Sequence, residues 1–144
     1  MSVEAAKNEI NMIKVYFDGM CGLCSTEIRY YRSIAPPDVF EWIDIAANPA
    51  PLFALRISQA EGLRILHVLD TNGDLMIGVN AFRTIWNALP RWRILSQIIR
   101  VPGIYQSAEF LYQKFADYRF SRLEHCQVAA TTKFLKPVTR LEQR

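Results

Sequence analysis

The sequence predicts an α/β domain of element order β-α-β-α-β-β-α, with additional C-terminal helices. Short β-rich runs alternate with segments of three-and-four apolar spacing. Turn and breaker residues sit between them. The 144 residues are 51% hydrophobic and 22% charged, enough apolar material for one core at the length of one ordinary domain.

Ile13 to Phe17 (IKVYF) is β-rich and runs into the turn dipeptide Asp18-Gly19. Beyond it Cys21, Cys24, Ile28, Tyr31 and Ala35 share one helix face, and Pro36-Pro37 stops the helix. Val39 to Ile45 (VFEWIDI) is again strand-like. A loop with Pro49 and Pro51 leads to a short helical piece at Leu52 to Ile57. Ser58 with Glu61 has the form of a capping box. Leu63 to Leu69 (LRILHVL) predicts a strand covered on both faces. Asp70 to Asp74 contains Asn72-Gly73, a hairpin signal, and Leu75 to Gly78 returns.

Phe82, Ile85, Trp86 and Leu89 form the stripe of a helix ended by Pro90. Ile94, Leu95, Ile98 and Ile99 predict a shorter helix closed before Pro102-Gly103. Ala108, Leu111, Tyr112, Phe115 and Tyr118 form a third stripe. All three stripes predict core faces. The alternating first half implies a right-handed βαβ unit with parallel pairing, and the hairpin adds an antiparallel edge. The domain is expected over residues 13–126, with an N-terminal arm at 1–12 and a basic tail at 127–144.

Several classes are excluded. The most apolar region, Trp92 to Tyr105, is broken by Arg93, Arg100 and Pro102, so no membrane span is expected. Three cysteines do not make a secreted disulfide framework. MSVEAAKNEINM has neither the apolar core nor the cleavage pattern of a signal peptide, so a cytoplasmic location is expected. Net charge is +3. Residues 1–90 carry seven basic and ten acidic side chains, and 91–144 carry ten and four. The single spacing of the basic residues, Arg91 and Arg93 included, favours solvated helix surfaces over an anionic partner, and no nucleic acid is expected.

The chemistry lies in Cys21-Gly22-Leu23-Cys24, between a predicted strand and a predicted helix. A thiol at a helix N-terminus meets unpaired N–H groups and the positive end of the dipole, which favour the thiolate that attacks disulfides. Cys21 would enter as nucleophile, and Cys24, one turn deeper and shielded, would resolve the mixed disulfide. The same two cysteines are also half of a zinc site, which His125 and Cys126 would complete. The rival class is a non-catalytic binding module whose cysteines are structural or hold zinc.

Asp18 through Cys24 (DGMCGLC) resembles the D-G-x-C-x-x-C signature of the DCC family, thioredoxin-like proteins described as thiol-disulfide oxidoreductases. Leu66 to Asp70, Asn72-Gly73, Gly78 to Phe82, Ile85-Trp86 and Leu89-Pro90 resemble its middle segment. Pro102 to Tyr105, Tyr112, Arg119 and Cys126 resemble its C-terminal helices, so the likeness runs from about Ile13 to Cys126. The resemblance implies a thioredoxin-like fold, a Cys21–Cys24 redox pair, Asp18 as motif acid, and protein or small-molecule thiol or disulfide substrates. No cofactor is implied. One departure stands out. The wider thioredoxin group places a cis-proline before the third strand, whereas Glu61-Gly62-Leu63-Arg64 holds none, so its peptide cradle does not carry over.

The supporting residues have competing roles. Asp18 can fix the loop by accepting the N–H of Met20 or Cys21, raise the Cys21 pKa as a nearby anion, or pass a proton to Cys24. His67 is either a packed strand histidine or a proton carrier near the disulfide. Cys126 reads as a small buried hydrophobe, with mixed-disulfide regulation as the alternative.

Overall fold

A computed structural model describes residues 12–129 of the chain. Four strands, β1 (Ile13–Phe17), β2 (Phe40–Asp44), β3 (His67–Leu69) and β4 (Leu75–Ile77), form one sheet in the order β2-β1-β3-β4. β1 pairs parallel with β2 and antiparallel with β3, and β3 pairs antiparallel with β4. The expected parallel pair and antiparallel edge are both present. β1 is central because both its faces are buried: Val15 packs into one core and Tyr16 into the other.

On the first face, α1 (Gly22–Ile34) and α4 (Val79–Asn87) supply Ile28, Tyr31, Ala81 and Ile85, packed on Val15, Phe40 and Val68. Each fully buried aliphatic side chain there contributes about 1.5–3 kcal/mol. Tyr31 anchors a polar thread through this core, donating to Glu27 (2.6 Å) and accepting from the indole of Trp86 (2.9 Å). On the second face lie α2 (Ala50–Phe53), α3 (Gln59–Arg64) and a helical stretch at 124–129, contributing Leu52, Ala60, Leu63, Cys126 and Ala129. The expected tail boundary at 127 falls inside that stretch; residues 1–11 and 130–144 lie outside the described residues.

The predicted strand Leu63 to Leu69 is shorter than expected. Ser58 and Glu61 form both capping-box bonds, at 3.2 and 3.4 Å, and the helix they start consumes Leu63 and Arg64. Only His67–Leu69 is left to pair. The hairpin is as read: Asp70 accepts from Asn72 and Asp74 through its side chain, and Gly73 takes a φ of +85°.

Two predicted core stripes are corrected. α5 (Arg93–Ile99) and α6 (Ile104–Arg122) form, but Ile94 is 73% and Leu111 66% exposed, and Phe115 and Tyr118 are also exposed. Of the α6 stripe Tyr112 does turn inward, joined by Ala116 and Arg119. Polar anchors set that rotation: the Tyr112 hydroxyl accepts the Leu66 N–H (2.8 Å), and Arg119 binds Asp18 (3.1 Å). Among the described residues no helix is long and apolar enough to cross a membrane.

Candidate active site

The parallel register sets Phe17 beside Asp44, so the chain leaves β1 next to the end of β2. Asp44 Oδ1 accepts the N–H of Gly19 (3.0 Å), Ala46 (3.0 Å) and Ala47 (3.3 Å), tying the two strand exits together. A Cβ at Gly19 would lie 1.9 Å from Asp44 Oδ2, so this close approach requires glycine. Asp18 Oδ1 accepts the Met20 N–H (3.0 Å), and the Ser25 hydroxyl donates to the Gly19 carbonyl (2.8 Å). The Asp18–Met20 turn is therefore held from both sides before the chain enters α1.

Cys21 is the N-cap of α1, with extended backbone, and its sulfur accepts the Cys24 N–H at 3.3 Å. All three cysteines are free thiols. Their burial reverses the expectation: Cys21 is 4% exposed, whereas Cys24 is half-buried and faces a cavity under α6. The turn carries Cys21 over the end of the central strand, where it interacts electrostatically with Arg119 and Cys126. One turn on, Cys24 lines the cavity instead. Burial, reinforced by Cys21 and opposed by Arg119, pushes the Cys24 pKa well above the ordinary thiol range.

Asp18 gathers more than the loop. Its side chain is 3% exposed and receives Arg119 Nη1 at 3.1 Å on Oδ2. His125 Nε2 lies 2.8 and 2.7 Å from its two oxygens, and the Cys126 thiol donates to Oδ2 at 3.8 Å. Arg119 Nη2 also donates to the carbonyls of Leu63 and Arg64. Burial works against the Arg119 charge, but Cys24, Cys21 and Asp18 outweigh it and raise its pKa. Burial, with the Asp18 charge, raises the Cys126 thiol to about 11.

Of the residues singled out in the sequence, Asp18, Cys21 and Cys24 come together, and Cys126 stands behind Asp18. His67 does not line the cavity beside Cys24. It is buried in β3, with Nδ1 2.7 Å from the Ile65 carbonyl and its pKa lowered by burial. The zinc set Cys21, Cys24, His125 and Cys126 is regrouped: the potential ligand atoms of Asp18, His125 and Cys126 lie within 4.8 Å of one another. Arg119 already provides positive charge at that carboxylate. Sequence reasoning missed Arg119 and His125 as partners of Asp18, from which they are separated by 101 and 107 positions. Arg119 lies on α6, whose orientation the apolar pattern misread, and His125 enters the sequence reading only as a possible zinc ligand.

A mixed four-stranded sheet with helices on both faces, and a Cys-x-x-Cys pair where the central strand turns into a helix, defines a thioredoxin-like α/β protein. The chain belongs to the DCC1-like thiol-disulfide oxidoreductase family, whose model matches residues 15–124. Neither a curated protein nor a solved structure matches the chain.

Proposed function

We propose that the protein is a thiol-disulfide oxidoreductase exchanging electrons through Cys21 and Cys24, with Cys21 as nucleophile and Cys24 resolving. The observation that carries this reading is the Cys21 sulfur at the α1 N-cap, accepting the Cys24 N–H while the Cys24 thiol stays protonated. The Cys24 N–H and the N-terminal end of α1 face the Cys21 sulfur, which the exchange uses first. Cys21 thiolate bonds to one sulfur of a substrate disulfide and expels the other as a thiolate. That thiolate takes the Cys24 proton, and Cys24 attacks Cys21, releasing the second substrate sulfur as a thiolate and closing the Cys21–Cys24 disulfide. Two electrons pass from the pair to the substrate, and the reverse sequence oxidises a dithiol. Asp18 holds the loop through Met20, and no cofactor takes part.

The test is a thiol count across a glutathione redox series. Reduced protein titrates three thiols and oxidised protein one, with a single midpoint; three thiols throughout would refute the reading. The rival, a binding module that holds metal, draws on the Asp18, His125 and Cys126 grouping. Stoichiometric zinc in purified protein, together with an inert Cys21–Cys24 pair, would favour it.

A further inference from the structure

Thiol-disulfide exchange needs two partners, one on each side of the electron transfer, and the two sulfurs of the pair are unequally covered. Cys21 is buried at the α1 N-cap, whereas Cys24 lines a cavity of about 60 Å³. That room is several times the about 10–15 Å³ one ordered water needs. Ile28, Leu63, Leu66 and Phe82 line it, with the exposed Leu23 and Phe115 at its rim.

Several polar side chains of this cavity are engaged within the protein. Arg119 holds Asp18 and the carbonyls of Leu63 and Arg64. Glu27 accepts from Tyr31, and the Tyr112 hydroxyl accepts from Leu66. A charged ligand arm would give up its hydration there and compete with these bonds for a partner.

The wall of the cavity is equally closed to a polypeptide. Ile65 N–H donates to the Glu61 carbonyl (3.2 Å) and Leu66 N–H to Tyr112 (2.8 Å). The Ile65 carbonyl meets His67 Nδ1 (2.7 Å), and the Leu66 carbonyl accepts from Gly78 (3.1 Å). An extended peptide docks by pairing its main chain with free groups on such an edge, and both N–H groups of this segment are spent. α6 supplies one of those bonds and stands over the same cavity through Tyr112, Phe115 and Arg119.

We propose that the cavity takes the uncharged apolar arm of a low-molecular-weight thiol, which reduces the oxidised Cys21–Cys24 pair by attack on the Cys24 sulfur. This rests on the exchange function proposed above. The substrate thiolate bonds to Cys24 Sγ, the Cys21–Cys24 bond breaks, and Cys21 leaves as the thiolate. The polarity suits the site, because disulfides open fastest toward the better leaving group and the α1 N-cap receives Cys21. A second substrate thiolate attacks the substrate sulfur of the mixed disulfide and releases Cys24. Two thiols become one disulfide, the pair gains two electrons, and the two protons they released end on Cys21 and Cys24.

Oxidised protein is mixed with 1-butanethiol or with 2-mercaptoethanesulfonate, and reduction is followed by stopped flow and normalised to thiolate concentration. Butanethiol is expected to react at least tenfold faster, with the transient adduct, acid-quenched and mapped by mass spectrometry, on Cys24. Phe115→Glu and Leu23→Glu, both at exposed positions and checked for folding by circular dichroism, bring the ratio toward one. Equal rates for the two thiols, an adduct on Cys21, or faster reduction by an unfolded cysteine-containing peptide would overturn the proposal while leaving the exchange function standing. Failure to form the Cys21–Cys24 disulfide shows before any thiol is added and overturns both.

Discussion

Arg119→Met takes a guanidinium from a carboxylate that is almost wholly out of water. The two side chains are 11% and 3% exposed and meet at 3.1 Å, so solvent screens the pair little. Removing one member of a buried pair costs about 3–5 kcal/mol, because the remaining charge keeps its desolvation penalty. His125 and the Met20 N–H still reach Asp18 and hold the loss toward the lower bound, whereas the Leu63 and Arg64 carbonyls lose a donor. We expect about 3 kcal/mol in urea unfolding and a Tm lower by ~10 °C. Because the loss comes from an orphaned charge, Asp18→Asn combined with Arg119→Met should cost less than the two single changes summed, by at least ~1.5 kcal/mol. A single-variant loss below ~1 kcal/mol, or strict additivity in the cycle, would refute the argument that α6 is fastened through this pair.

Other outcomes follow from the same geometry. With a disulfide substrate, Cys24→Ser should accumulate mixed disulfides on Cys21 and Cys21→Ser few, as read by mass spectrometry; the reverse would exchange the two roles. Gly19→Ala places a methyl group against Asp44 and displaces the acceptor of three N–H groups, so a loss of about 2–4 kcal/mol is expected, with slower alkylation of Cys21 if the turn shifts. Burial makes the Cys24 and Cys126 thiols hold their protons more tightly folded than unfolded. Their contribution to stability is therefore full below about pH 8.5, the unfolded thiol range, and declines as pH rises above it. Denaturation from pH 7 to 10.5 should show this decline, and Cys24→Ser should flatten it. Cys126→Ser should fold less stably, by about 1 kcal/mol, and retain exchange activity; a folded variant without activity would give Cys126 a redox role.

What was legible in the sequence was whatever rests on neighbours in the chain. Strand β1, the Ser58–Glu61 cap, the Asp70–Asp74 turn and the Cys-x-x-Cys pair at a strand-to-helix junction each depend on a few consecutive residues. The two orders of burial did not follow from such windows. Apolar periodicity assigned Leu111, Phe115 and Tyr118 to the core, yet α6 is rotated by Tyr112 and Arg119, whose partners Leu66 and Asp18 lie 46 and 101 positions away.

By itself the sequence determined the element order, the parallel β1–β2 unit, the β3–β4 hairpin and the pair of cysteines one helical turn apart, because these follow from spacing along the backbone, whereas the antiparallel β1–β3 pairing did not. Tertiary structure alone decided that Asp18 is buried among Arg119, His125 and Cys126, and that Cys21 is the more covered thiol while Cys24 opens on an apolar cavity. Desolvation and charge depend on what folds over a side chain, and here that cover comes from helices about a hundred residues further along the chain.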